Sequence, residues 1–178
     1  MAVINPGFYM ASRINDLVRD FYSDNGISRA RARFELLQIG KPIIDFLIGL
    51  QYVPIHQVRW EAVKTLSQLA VPEAIPILIN ALENEDMDVR WLAAHGLIQI
   101  GRPSVIAVLE ALEGNQNSKF LREGAHHVLK ELQHKHLFKD DLGIIKMLEH
   151  YGTQSILAVT AKKILTEINS TDQSFSKK

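Results

Sequence analysis

The chain has 178 residues and a mass of 20.1 kDa, and 47% of its residues are hydrophobic, which is enough for one well-buried domain. Its 20 Lys and Arg residues balance 20 Asp and Glu residues, so no net charge attracts a phosphate backbone or an acidic membrane. It contains no cysteine, which excludes disulfides, zinc-thiolate sites and thiol nucleophiles.

The sequence also lacks the features of a membrane or secreted protein. No apolar run approaches the roughly 20 residues that a membrane span requires. The first ten residues lack the basic start and long apolar core of a secretory signal. We therefore expect a cytoplasmic protein without a membrane or nucleic-acid partner.

The first predicted element is a helix over Ala11 to Tyr22. Its apolar side chains Ile14, Leu17 and Phe21 follow helical spacing, and a polar turn follows at residues 23–26. Residues 1–27 are thus predicted to form an N-terminal capping helix and a turn.

From Ser28 onward one helical frame recurs five times. The copies begin at Ser28, Val58, Val89, Leu121 and Leu157. Frame position 4 is always alanine, at Ala32, Ala62, Ala93, Ala125 and Ala161. Frame position 8 is always leucine, at Leu36, Leu66, Leu97, Leu129 and Leu165. Positions 0, 4 and 8 lie on one helix face, so each copy predicts an amphipathic helix in which alanine permits close helix packing.

Second helices fill the intervals between the copies. Val105, Val108, Leu109 and Leu112 have the i, i+3, i+4, i+7 spacing of one helix face. Gly40-Lys41-Pro42 and Gly101-Arg102-Pro103 separate the paired helices, because glycine ends a helix and proline suits the first turn of the next. One repeat cannot bury its own apolar stripe, so stacked repeats are needed to form a core.

These observations predict an all-α, right-handed solenoid of about five helix pairs, with the last copy incomplete or acting as a cap. The repeat domain is expected to cover residues 28–168. The polar composition of residues 169–178 predicts a disordered tail.

The segment Asp88 to Gly101 resembles the HEAT repeat in its short, phycobilisome-lyase-like form, and Val58 to Leu69 is a second good match. The resemblance covers roughly residues 28–168. It implies a HEAT-type fold, and because the family includes scaffolds, lyases and a few enzymes, it does not select one function.

We expect a non-catalytic scaffold that binds another protein and requires no cofactor or metal. The second-helix side of such a solenoid is concave, and the residues that flank its core stripe are candidate binding residues: Ile77, Asn80, Ile106 and Glu110. Trp60 and Trp91 stand at frame position 2, nearly opposite the apolar stripe, and mark an alternative binding patch on the outer face. The competing interpretation is that each ring packs flat against a neighbouring side chain.

Frame position 1 carries arginine in four copies, at Arg29, Arg59, Arg90 and Arg122. These arginines could form a cationic ladder for anions, but partly buried structural pairing with acids or carbonyls is the favoured interpretation.

Five of the seven histidines lie between residues 126 and 150, and His126 and His127 form a possible polar cluster. Their spacing matches no metal motif, so no metal site is predicted. The resemblance also implies an alternative function, a lyase or chaperone for a bilin or other tetrapyrrole. For that function His126, His127 and Arg122 are the clustered candidates.

Overall fold

Helices make up the regular structure that the computed structural model describes, which covers residues 6–115, 117–150, 152 and 154–175. In chain order the α-helices are α1 (Pro6–Arg19), α2 (Gly26–Ile39), α3 (Ile44–Ile48), α4 (His56–Leu69), α5 (Ile75–Ala81), α6 (Met87–Ile100), α7 (Arg102–Gly114), α8 (Lys119–His134), α9 (Ile144–Glu149) and α10 (Gln154–Phe175). Short 3-10 turns span Asp20–Tyr22, Lys41–Ile43, Gly49–Tyr52 and Pro72–Ala74.

Two layers of helices form the solenoid. The first layer consists of α2, α4, α6 and α8, which pack side by side in chain order. The alanine and leucine at frame positions 4 and 8 of these four helices are fully buried. The second layer consists of α3, α5, α7 and α10. The predicted all-α HEAT-like solenoid is therefore confirmed, and its core is the alanine–leucine stripe.

Glycine and proline close the helix pairs as their positions predict. Gly101 follows the last residue of α6 with φ of 85°, a backbone conformation that glycine adopts without strain. Its amide donates a hydrogen bond to the Leu97 carbonyl, and Pro103 stands in the first turn of α7. The turn after α4 has alanine instead, and Ala70 is left-handed with φ of 49°.

The fourth repeat departs from this regular pairing. A long linker, residues 135–143, follows α8, and the next helix, α9, has only 6 residues. The following helix, α10, packs along α7 in the second layer. Its frame residues Leu157, Ala161 and Leu165 are buried. The fifth copy is therefore a single helix that extends the second layer beyond α7.

The two ends of the chain differ in extent from the sequence-based expectation. Helix α1 starts at Pro6, whereas the predicted helix starts at Ala11, and the 3-10 turn completes it through Tyr22. The Asn25 side chain caps α2 by accepting from the Ile27 and Ser28 amides, so α2 starts before the Ser28 frame. Residues 169–175, expected to be disordered, continue α10, and residues 176–178 lie outside the described residues.

No helix within the described ranges is both long enough and apolar enough to cross a bilayer.

Candidate functional site

A row of side chains runs along the outer face of the first layer. We call it the outer row and define it by frame positions 2 and 6 of α2, α4, α6 and α8. Its members are Ala30, Phe34, Trp60, Lys64, Trp91, His95, Glu123 and His127. Because the four helices pack side by side, equivalent positions on consecutive helices become neighbours.

The two tryptophans differ in exposure. The Trp91 ring stacks on the His127 ring of the next repeat, with centroids 4.6 Å apart and an interplanar angle of 23°, yet Trp91 remains 60% exposed. Trp60 is half-buried, and the Lys64 ammonium lies 4.1 Å from its ring centroid. Burial lowers the pKa of Lys64, and the charge of Arg33 lowers it further. Trp60 thus packs as the structural interpretation requires, while Trp91 combines a stacked position with a large accessible surface.

The outer row is mostly uncharged and aromatic. Phe34 is 63% exposed, and Glu123 is the single carboxylate among the eight members. Exposed amides flank the row at frame position 10, where Gln38, Gln68 and Gln99 stand on three consecutive helices. Large aromatic rings between uncharged amides form a surface suited to contact with another protein.

The four predicted residues of the second layer do not form one exposed surface. Ile77 is only 5% exposed, because the 7-residue α5 is packed against both α6 and α7. The prediction that Ile77 flanks the core on an open face is therefore wrong. Asn80 and Glu110 are exposed, and Ile106 is half-buried in the wall of a groove.

This groove has a volume of about 710 Å³ and lies between α7, the linker after α8, and α10. Its apolar wall consists of Val105, Ile106, Leu137, Phe138, Leu142, Ile164 and Ile168. Its charged residues are Arg102, Lys139, Asp141 and Glu167, whose formal charges balance. His136 also lines the groove, in a left-handed conformation with φ of 57°. Among these lining residues the sequence analysis proposed only Ile106 as a binding residue, because the groove depends on the position of α10.

The repeat arginines bind backbone carbonyls of the turns beside their helices. Arg29, Arg59 and Arg90 each donate to the carbonyl six residues earlier, on Ser23 at 2.7 Å, Val53 at 2.9 Å and Asn84 at 2.8 Å. Arg122 donates to the His150 carbonyl at 2.7 Å. These bonds hold each first helix against the loop beside it.

Carboxylates of the following repeat complete two of these sites. Arg29 Nε donates to Glu61 Oε1 at 3.2 Å, and Arg33 pairs with the other oxygen of this buried carboxylate. Arg59 pairs with Asp86 and, at 3.3 Å, with Glu85. The geometry is that of structural ion pairs between repeats.

The carboxylate Asp86 also belongs to a group that the sequence analysis missed. His56 Nε2 lies 3.1 Å from Asp88 Oδ1, and one ligand atom each from His56, Asp86 and Asp88 lies within 4.8 Å of the others. The guanidinium of Arg59 already supplies a positive charge to Asp86. This group is accounted for by the ion pair of Arg59 with Asp86 and the hydrogen bonds of His56 with Asp88 at the second inter-repeat turn.

The two adjacent histidines point to different neighbours. His126 Nε2 lies 3.1 Å from Glu149 Oε1, and both residues line a cavity of about 290 Å³ between α8 and α9. His127 stacks on Trp91, and burial lowers its pKa. Glu131 opposes this lowering of the pKa, while His126 and His95 add to it.

Comparison with known proteins identifies the repeat type. The family model for HEAT repeats matches residues 53–130. No curated protein compared with the chain matches it. Nine chains of solved structures match, one of them in the complex of CpcE and CpcF of phycocyanin lyase from Nostoc sp. PCC7120. That chain is 22% identical, the match covers 85% of this chain and 99% of that chain, and the TM-score is 0.59. At this identity the likeness establishes a shared fold.

Proposed function

We propose that this chain, a HEAT-repeat protein of the phycobilisome-lyase-like type, is a non-catalytic scaffold that binds another protein through its outer row. The observation that carries the proposal is Trp91, which stays 60% exposed although it is stacked and held in place by His127. An aromatic ring that is both ordered and accessible loses little conformational entropy when a partner covers it.

The chemistry of the outer row supports a protein partner. Phe34 and Trp91 offer apolar area, while the glutamines beside them offer both hydrogen-bond donors and acceptors. Interfaces between proteins are enriched in aromatic residues and depleted in charge at their centres. The similar fold in the CpcE and CpcF structure comes from a complex of two chains, which also supports association with a protein.

The test is capture of partners from the native cell extract by the purified chain, followed by mass spectrometry. The Trp60→Ala/Trp91→Ala double variant should lose the captured partner while its helical circular dichroism stays that of the wild type. If Trp91 is a central contact, its loss should cost about 2 kcal/mol, or roughly 30-fold in affinity. Asn80→Ala/Glu110→Ala is the matched control, because both residues are exposed on the second layer.

The control also separates the two faces of the solenoid. Capture that survives in the tryptophan variant contradicts binding through the outer row. Loss of capture in the Asn80→Ala/Glu110→Ala variant would instead assign binding to the second layer.

A second candidate function, a lyase or chaperone for a tetrapyrrole, is supported by the groove and by the fold shared with a phycocyanin lyase structure. A volume of about 710 Å³ lies within the range of small-molecule sites. Mixing the protein with a bilin should then shift the visible absorption band of the bilin. Ile106→Trp, which fills the groove, should abolish the shift, and an unshifted band in the wild type would contradict this function.

The position of the acid–base candidates favours binding over catalysis. The residues that line the groove do not include His126, His127 or Arg122. Arg122 is buried against backbone carbonyls, and His127 is stacked on Trp91. These groups therefore lie apart from the apolar wall that would hold a chromophore.

A further inference from the structure

The repeat arginines differ in how their charge is neutralised. Arg29 and Arg59 occupy the same frame position, and each pairs with a carboxylate of the next repeat. Arg90 is half-buried, and its guanidinium carbon lies 4.0 Å from the Phe120 ring centroid. Arg122 binds only carbonyl oxygens among its described partners. The fourth repeat thus keeps the cation of the motif without the anion that accompanies it in the first two.

Because the Arg122 side chain is buried, the lack of a paired carboxylate has an energetic cost. Arg122 is only 6% exposed, and its Nη1 is buried without a hydrogen-bond partner. Arg59 also leaves one buried nitrogen, Nε, without a partner, but Asp86 and Glu85 match its charge. A buried guanidinium is destabilising unless a negative charge or a full set of acceptors compensates for its lost hydration.

Arg122 forms part of the wall of the cavity between α8 and α9. The cavity volume is about 290 Å³, far larger than a single water molecule requires. Lys119, Glu123, His126, Leu148 and Glu149 complete the wall. The cavity therefore places two further basic side chains beside the buried arginine.

The two carboxylates of the wall already have side-chain partners. Lys119 Nζ lies 3.7 Å from Glu123 Oε1, and His126 Nε2 lies 3.1 Å from Glu149 Oε1. Neither carboxylate pairs with Arg122, and among the described residues no carboxylate matches the charge of its guanidinium.

We propose that this cavity binds one oxyanion, a carboxylate or phosphate group of a small molecule, with Arg122 as the principal donor. Lys119 and His126 supply additional donors at the rim. Planar guanidinium groups bind carboxylate and phosphate oxygens with matching geometry, which an ammonium group does not provide. This site is separate from the outer row and does not depend on the proposed scaffold function.

Thermal unfolding of the full chain tests the proposal with two probes, inorganic phosphate and acetate, each compared with chloride at equal ionic strength. A dissociation constant of about 5 mM predicts that 50 mM probe raises the Tm by about 3 to 6 °C above the chloride sample. If phosphate alone stabilises the chain, the ligand carries a phosphoryl group. If acetate alone stabilises it, the ligand carries a carboxylate. Stabilisation by both probes shows that the site accepts either group.

Variants of the rim assign the effect to the cavity. Lys119→Gln and His126→Gln should each weaken binding about five-fold, measured by titration calorimetry, because each removes a basic donor and leaves a carboxylate of the wall without its partner. Lys130→Gln, an exposed position on the same helix, is the matched control and should bind as the wild type. Arg122→Lys keeps the charge but loses the planar donor pair, and it should weaken binding more than ten-fold.

Two results would overturn the proposal. One is a Tm in both phosphate and acetate that equals the Tm in chloride. The other is an affinity for the probe that is equal in the wild type, Lys119→Gln and His126→Gln. These two rim variants decide the question even if Arg122→Lys does not fold.

Discussion

The contact between α4 and α6 can be tested by replacing Gly96 with alanine. A Cβ atom at position 96 would lie 2.8 Å from Ser67 Cα and 2.9 Å from Leu78 Cδ1. Ordinary van der Waals contact begins at 3.4 Å, and a backbone atom such as Ser67 Cα cannot rotate away. The two helices must therefore separate locally for the methyl group to fit.

The expected cost follows from two opposing terms. Inserting a methyl group into a packed core costs about 1 to 3 kcal/mol, and backbone contact favours the upper half of that range. Alanine recovers about 1 kcal/mol through its higher helix propensity. Gly96→Ala should thus lower the free energy of unfolding by about 1 to 2 kcal/mol, which corresponds to a Tm lower by about 2 to 8 °C.

Two other glycines provide the controls for a urea titration followed by circular dichroism. A Cβ at Gly114 would meet nothing within 4 Å, so Gly114→Ala should be neutral or slightly stabilising. The three atoms nearest to a Cβ at Gly124 belong to the flexible Leu82 side chain, the first at 2.8 Å, so this methyl group should cost less than at Gly96. If Gly96→Ala is as stable as Gly114→Ala, the inferred close approach of α4 and α6 is wrong.

Two further predictions concern charged groups. Arg59→Ala should lower the free energy of unfolding by about 2 to 4 kcal/mol in a urea titration, because Asp86 loses its buried partner. The control is Arg31→Ala at an exposed ion pair, which should lower the free energy of unfolding by less than about 1 kcal/mol. Equal effects of the two substitutions would contradict the assignment of Arg59 to a buried ion pair. Burial lowers the pKa of the His127 imidazole in the folded chain, so the unfolded chain binds a proton at His127 more readily. The stability linked to His127 is therefore fully present above the pKa of His127 in the unfolded chain, and it declines as the pH falls below that pKa. His127→Phe should retain the stack on Trp91 and flatten the Tm between pH 7.5 and 5.5, and an unchanged slope would exclude His127 as the source.

The sequence predicted the first layer well because its pattern is local. Alanine at frame position 4 and leucine at frame position 8 define one helix face, and only a neighbouring copy can cover that face. The position of α10 was not predictable in this way. Leu157, Ala161 and Leu165 specify an amphipathic helix, but the same stripe fits against either layer of the solenoid.

The errors at the candidate sites have the same origin. Ile77 flanks the apolar stripe of α5 in sequence, but α5 is short and has neighbours in both layers, so more of its circumference is covered. The unmatched charge of Arg122 was equally hidden, because the carboxylates that neutralise Arg29 and Arg59 come from the next repeat. Whether the next repeat supplies such a partner depends on tertiary structure rather than on the frame.

The irregular fourth repeat explains why both cavities lie at the C-terminal end of the described structure. In the regular repeats a tight turn that contains a proline joins the paired helices, as between α6 and α7, and the second helix covers the stripe of the first. After α8 the long linker and the short α9 interrupt this pairing, and α10 packs along α7 instead. Space therefore remains on both sides of the displaced segment, as the groove beside α7 and as the cavity beneath Arg122. The regular repeats thus supply a continuous outer surface for a macromolecule, and the interrupted repeat supplies the concave spaces that a small ligand requires.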